Sequence, residues 1–165
     1  MPEKDYVASP VKIGYSGVLA LNDLYKVMQN WFKLYKYKVK ELDHKVSRGE
    51  GGSDIYLKWA ADKKMSDYLK FTIETEIFVN NMVEVESKKT KKKLARCDLR
   101  VIVQGYIAKD IEDVWTGKAF LKFMREAYDR FVIGSKMEEY EKELLGDVRK
   151  FVNEVEAFIR VLKMS

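Results

Sequence analysis

The most regular pattern in the chain is an alternation of apolar and polar residues that runs from Leu69 to Glu86. One row of this alternation consists of Leu69, Phe71, Ile73, Thr75, Ile77, Val79, Asn81, Val83 and Val85. Successive side chains of a strand point to opposite faces of a sheet, so the pattern predicts one long half-buried strand that bends near Asn80 and Asn81. Two shorter strands that keep facing the same way would give the same pattern.

A second apolar row follows a basic turn and predicts a strand that returns antiparallel to the first. Its members are Cys97, Leu99, Val101, Val103, Gly105 and Ile107. The two rows lie on one side of the sheet only if each pair of facing residues has an even sum of residue numbers. The register predicted on this basis places Val85 opposite Cys97 and Val79 opposite Val103.

The N-terminal part of the chain predicts three further strands. Residues 11–19 alternate loosely and predict the first of them. Residues 37–46 change the parity of their apolar positions near Glu41, which predicts a strand with a bulge, and the lysines of this strand are typical of a sheet edge. A glycine-rich turn comes next, and residues 55–61 then alternate as a half-buried strand.

Three segments show the spacing of helices. Asn22 is predicted to cap a helix whose apolar residues recur at steps of three and four, namely Leu24, Val27, Met28, Trp31 and Tyr35. From Thr116 the period is helical again, as far as Gly134. Ser135 and Glu138 then form a capping box, which predicts the start of a second and longer C-terminal helix.

These elements predict an α+β fold, in which an antiparallel meander carries an N-terminal helix and two C-terminal helices, the last one long, packed on one face. The layout is similar to the helix-grip fold of START and Bet v1-like proteins. This resemblance implies a curved antiparallel sheet that wraps a long C-terminal helix around an apolar cavity. The chain departs from that layout in its number of strands and in its second C-terminal helix, and no sequence motif of the family accompanies the likeness.

Composition adds the size of the domain and its compartment. Residues 1–165 are predicted to form a single domain, because 47% of them are apolar and both prolines lie among the first ten, so no linker divides the chain. The lone Cys97 favours a reducing compartment, and the N-terminus lacks the features of a signal peptide. No stretch approaches the roughly 18 apolar residues of a membrane span, so a soluble, cytoplasmic protein is expected.

The residues that carry most catalytic chemistry are scarce. One histidine, His44, and one cysteine exclude the familiar zinc ligand sets and argue against Cys–His catalysis. Asp and Glu residues could still bind magnesium, but no metal site and no cofactor is predicted. Glu74 and Glu76 share a side of the long strand and could form an acid and base pair, although polar residues on a solvated sheet face give the same pattern. The sequence favours a protein without catalytic activity, in which His44 is a packed or edge residue and Cys97 a buried thiol.

The polar row of the long hairpin also carries large apolar residues, of which a solvated face should hold few. Phe78, Met82, Ile102 and Tyr106 are predicted to gather on the outer face of the sheet, defined as the face turned away from the helices. Such a patch predicts contact with a second copy of the chain or with another protein. Coverage by another part of the same chain is the alternative.

The turn of the long hairpin is strongly basic. Its cations are Lys88, Lys89, Lys91, Lys92 and Lys93, and the chain as a whole carries a net charge of +5. A two-stranded ribbon with a cationic tip can track phosphates, so nucleic acid is an alternative partner. An anionic membrane surface is less favoured, because no amphipathic membrane helix stands out.

The first functional hypothesis is a non-enzymatic interaction module that self-associates or binds a macromolecule through the outer face and the basic hairpin. A second hypothesis is a binding protein for a small apolar ligand, held between the sheet and the C-terminal helix. Trp59, Phe71, Phe120 and Phe151 would line its cavity, or would fill the core if no cavity exists. An RNA- or DNA-associated protein is the third hypothesis.

Overall fold

The computed structural model describes residues 4–7, 9–66, 69–86, 93–109 and 134–164. Its strands are β1 (Lys4–Tyr6), β2 (Val11–Leu19), β3 (Lys38–Gly49), β4 (Gly52–Lys64), β5 (Leu69–Glu86) and β6 (Lys93–Lys109). Its helices are α1 (Leu21–Leu34) and α2 (Gly134–Met164). The α+β class with an antiparallel sheet is therefore confirmed. The described residues contain two helices rather than three, and the helix predicted over residues 116–134 lies almost entirely outside them.

One antiparallel sheet holds all the described strands, in the order β1-β6-β5-β4-β3, with β2 also paired to β6. Strands β1 and β2 lie along the same edge of β6, where Lys4 faces Ala108 and Val11 faces Val103. Pro10 lies between these two short strands, and its ring nitrogen has no hydrogen to donate to a ladder. Strand β3 forms the opposite edge, as its lysines predicted.

The register of the long hairpin differs from the predicted one. Val79 faces Leu99 instead of Val103, so the parity is right over Leu69 to Asn80 while the offset is wrong by four residues. Alternation specifies which face a residue occupies but leaves the length of the hairpin turn open. In the structure the ladder continues outward as far as Glu86 and Lys93. The longer ladder pairs backbone groups that the predicted turn would have left in solvent.

The bend predicted near Asn80 and Asn81 is a β-bulge. Beyond it, odd- and even-numbered residues of β5 exchange faces. Asn81 has a left-handed φ of 56°, its backbone N–H donates to Asp54 Oδ1 at 2.9 Å, and its side chain donates to Asp98 at 3.1 Å. Asn tolerates this backbone region better than most residues. Because the bulge adds a residue, Met82 packs against the core and Val83 becomes 50% exposed. The prediction that Met82 lies on the outer face is therefore wrong.

Helix α1 begins two residues earlier than predicted. Ala20 occupies the N-cap and makes no side-chain capping bond, so the predicted capping role of Asn22 is wrong, and Asn22 lies in the first turn. The helix buries Leu21, Leu24, Met28, Trp31 and Phe32 against the sheet and α2. Burial of this apolar face stabilises α1 without a capping side chain.

Helix α2 crosses the inner face of the sheet, defined as the face that carries Ile73, Ile77 and Val101. The buried stripe of α2 recurs at helical spacing and consists of Leu144, Val148, Phe151, Val152, Val155 and Ile159. The same apolar cluster includes residues of α1 and of four strands, β2, β4, β5 and β6, and Val39 of β3 packs against it. Because both helices pack on the inner face, polar and charged side chains are expected on the parts of the sheet that no helix covers.

Close approach of α2 to β6 depends on a glycine. A Cβ atom at Gly105 would lie 2.8 Å from Val148 Cγ2, which is closer than side chains pack. We expect Gly105→Ala to lower the free energy of unfolding by about 1–3 kcal/mol, measured by urea denaturation, and to cost less when Val148 is replaced by Ala. Gly146→Ala is the control, because a Cβ there meets no atom within 4 Å and alanine favours a helix interior. A neutral Gly105→Ala variant would show that α2 does not approach β6 this closely.

Candidate functional site

An open groove of about 660 Å³ lies between α1 and the β3–β4 side of the sheet. Its walls are Tyr25, Gln29, Lys33, Tyr37, Lys38, Val39, Glu41, His44, Ile55, Leu57 and Trp59. The volume is within the range of sites for small organic molecules. Apolar side chains form the floor of this groove, and polar and charged side chains form its rim.

The floor comes from β4. Ile55, Leu57 and Trp59 alternate along the strand and therefore point to the same face. Trp59 is only 4% exposed, although its side chain borders the groove. The floor is consequently an apolar surface that is continuous with the packed core.

A bulge in β3 brings two polar residues together at the rim. Glu41 faces Trp59 and His44 faces Leu57, and the ladder shifts register between Glu41 and Asp43. Residues of odd and even number would lie on opposite faces of a regular strand, so the bulge places both side chains on the groove side. His44 Nδ1 lies 3.9 Å from Glu41 Oε1. The predicted bulge is thus confirmed, and His44 lies on the edge strand.

The opposite wall is one face of α1. Tyr25, Gln29 and Lys33 are spaced four residues apart and therefore line up along the helix. The Tyr25 ring meets the Trp59 ring edge-on, with centroids 5.9 Å apart. Burial raises the pKa of Tyr25 to about 12, so its hydroxyl keeps its proton well above physiological pH and can donate a hydrogen bond.

The residues predicted to line a cavity are not brought together. Trp59 lines the groove, whereas Phe71 and Phe151 are fully buried in the core, Phe151 with its ring 4.5 Å from that of Phe32. Phe120 lies outside the described residues. The opening is therefore at α1 and β3, because the aromatic rings of α1 and α2 fill the space between the sheet and the C-terminal helix.

The residues predicted for a contact surface form two separate clusters on the outer face. Phe78 packs between the Tyr56 ring at 5.0 Å and the Arg100 guanidinium at 4.5 Å, and Ile102 is half-buried. Tyr106 is 7% exposed and lies beneath Tyr6 of β1. Part of the patch is thus covered by the chain itself, and self-association through Phe78 and Ile102 stays a prediction.

Hydrogen bonds between strands engage both carboxylates of the predicted acid and base pair. Gln104 Nε2 donates to Glu74 at 3.0 Å, and Tyr56 Oη donates to Glu76 at 2.7 Å. Burial, followed by this bond, raises the pKa of Tyr56 to about 12. These contacts are typical of a structural network across three strands.

The basic hairpin is described only at its edge. Lys93 is exposed and faces Glu86, while Lys88, Lys89, Lys91 and Lys92 lie outside the described residues. Binding of nucleic acid therefore stays a prediction. Neither of the described helices contains a stretch apolar enough to cross a membrane.

The remaining observations concern the single cysteine and the arrangement of residues that could bind a metal ion. Cys97 is buried as predicted, and burial raises the pKa of its thiol to about 11. In the part of the chain that the structure describes, no group of three or more His, Cys, Asp or Glu residues is arranged to hold a metal ion.

Sequence reasoning did not identify the groove, although two signals for it exist. The helical spacing of Tyr25, Gln29 and Lys33 marks one face of α1, and the parity change of β3 places His44 beside the floor. Neither signal shows that the two elements lie next to each other. That proximity is a tertiary property.

Comparisons with known proteins assign no function. No protein-family model matches the chain, and no curated protein matches it. Among solved structures, an uncharacterized protein from Rhizobium leguminosarum is similar over 97% of this chain and 98% of its own length, at 7% sequence identity and a TM-score of 0.21. A TM-score at this level carries no information about fold or function.

Proposed function

We propose that the protein binds a small, largely apolar molecule in the groove between α1 and strands β3 and β4. The observation that carries this proposal is an opening of about 660 Å³ with Leu57 and Trp59 on its floor. Leu57 and Trp59 are already buried, so a ligand gains roughly 25 cal/mol per Å² by covering the partly exposed apolar surface of Tyr25, Val39 and Ile55 beside them.

The groove offers each part of such a ligand a distinct contact. The Trp59 and Tyr25 rings provide flat apolar surfaces for its body. At the mouth of the groove, Lys33 and Lys38 offer the ligand positively charged hydrogen-bond donors. Glu41 offers the ligand a hydrogen-bond acceptor. The cations outnumber the carboxylate there, which favours a ligand whose outer end is polar or anionic.

The order of the described elements is an N-terminal strand and helix, a meander and a long C-terminal helix, and its likeness to helix-grip proteins is one of layout only. The groove differs from that layout in position, because it lies beside α1 instead of under α2. The proposal therefore depends on the groove itself.

Filling the groove is expected to abolish binding. Val39→Phe adds a ring to a half-buried residue of the groove wall, so β-naphthol, used as the probe in isothermal titration calorimetry, should bind at least about tenfold more weakly, because overlap with the added ring removes its packing. Val83→Phe is the matched control, since Val83 lies outside the groove and is 50% exposed.

The proposal fails if wild type does not bind β-naphthol, or if folded Val39→Phe binds it as tightly as wild type does. Circular dichroism of each variant establishes that it is folded. An equal loss of affinity in Val83→Phe would place the probe somewhere other than the groove.

A further inference from the structure

One hydroxyl group in the core has no partner. Thr75 is 0% exposed, and its Oγ1 is the one buried side-chain oxygen or nitrogen of the described residues that makes no hydrogen bond. The residues on either side of it in the same row, Ile73 and Ile77, are apolar and fully buried. Burial of an unpaired hydroxyl costs free energy that a valine of the same shape would not cost.

Thr75 does not line the groove, but it is the cross-strand neighbour of a residue that does. It faces Trp59 across the β4–β5 ladder, so the two side chains are neighbours on the inner face of the sheet. Trp59 also borders the groove and meets the Tyr25 ring. The indole of Trp59 therefore separates the groove from an unpaired hydroxyl.

We infer that the groove is the outer part of a deeper ligand site, in which Thr75 Oγ1 is the inner hydrogen-bond anchor. This inference rests on the proposed function. A ligand that enters the groove displaces the Trp59 indole sideways and places its leading end next to Thr75. The ligand then provides the hydrogen bond that the described residues leave unmade.

The surroundings of Thr75 define the chemistry of that leading end. Val103 and Trp59 face Thr75 on the two neighbouring strands, so an ionised group there would lose its hydration without a counter-charge. A threonine hydroxyl has one hydrogen to donate and two lone pairs. The ligand class is thus an apolar body that ends in a neutral hydroxyl or carbonyl group.

A pair of probes that differ by one hydroxyl tests this inference, namely β-naphthol and naphthalene. Calorimetry of wild type should show β-naphthol binding about fivefold more tightly, which is the size expected of one net hydrogen bond. Thr75→Val should remove this preference by weakening only β-naphthol, because valine keeps the shape of threonine and lacks the hydroxyl. Thr75→Ser should keep the preference, because serine retains the hydroxyl.

The outcomes separate the two proposals. If Thr75→Val keeps the full preference while Val39→Phe abolishes binding, the groove binds ligands but Thr75 does not anchor them, and the inference is overturned. If neither probe binds wild type up to its solubility limit, both proposals fall. The methyl resonance of Thr75 gives a second measurement, since it should shift when β-naphthol binds, and an unmoved resonance would contradict the inference.

Discussion

Replacing Phe151 with alanine is expected to lower the free energy of unfolding by about 3–5 kcal/mol, as measured by urea denaturation. Phe151 is fully buried on α2, with its ring 4.5 Å from that of Phe32 and 5.2 Å from that of Trp31. Alanine would lose these contacts and leave a cavity between the two helices. Domains of this size are typically stable by about 5–15 kcal/mol, so the variant should be measurably folded yet close to its limit.

Helix α2 provides the control for this substitution. Val161 lies on the same helix but is 67% exposed, so Val161→Ala should change stability by less than about 0.5 kcal/mol. A loss of under about 1 kcal/mol in Phe151→Ala would mean that the core between α1 and α2 collapses around the smaller residue. Because α1 also carries Tyr25 and Lys33, loosening this contact should weaken binding of β-naphthol as well.

The sequence predicted the faces of the long strands better than their partners. The period of two correctly assigned Phe71 and Val101 to the buried face, since that period follows directly from strand geometry. It did not predict the register, because sliding by an even number of residues keeps every side chain on its face. Beyond Asn81 the period of two assigned Met82 to the wrong face. A bulge changes the parity of the residues that follow it without changing the composition of the strand.

The candidate site was less predictable than the fold. Trp59 was assigned to a cavity and does border the groove, but Phe71 and Phe151, grouped with it on aromatic character alone, belong to the packed core. His44 was correctly placed on an edge strand, while its position beside Leu57 required the pairing of β3 with β4. Proximity between distant segments depends on the topology of the whole sheet, which local patterns do not contain.

A hydrogen bond between two buried groups joins the start of β3 to α2. Tyr37 Oη donates to Asp147 Oδ2 at 2.7 Å, and both residues are buried. Tyr37→Phe would keep the ring and leave the carboxylate buried without this donor, so stability should fall by about 2–3 kcal/mol at neutral pH in urea denaturation. Tyr35→Phe is the matched control, since that ring is only half-buried and stacks on Trp31.

The same hydroxyl makes stability depend on pH. Burial first, and then the bond to Asp147, raise the pKa of Tyr37 well above its ordinary value of 10.0. Below about pH 10 the phenol is neutral in both the folded and the unfolded chain, so its stabilising contribution is complete. As pH rises further, the unfolded chain loses this proton first, and the free energy of unfolding decreases. Burial likewise raises the pKa of Tyr25 and Tyr106 to about 12, so wild type should lose stability steeply in this range.

Comparison of Tyr37→Phe with wild type isolates the contribution of this one proton. Above about pH 10 the free energy of unfolding should fall less steeply with pH in the variant than in wild type, by the equivalent of up to one proton. The difference in the free energy of unfolding between the two proteins should therefore shrink as pH rises. Urea denaturation at pH values from neutrality to the alkaline range measures both slopes. Parallel slopes would show that Tyr37 ionises equally in the folded and unfolded chains, which is incompatible with a buried bond to Asp147. A deficit that closes at alkaline pH identifies this hydroxyl as the contact that holds α2 against the residue preceding β3, which is also part of the groove wall.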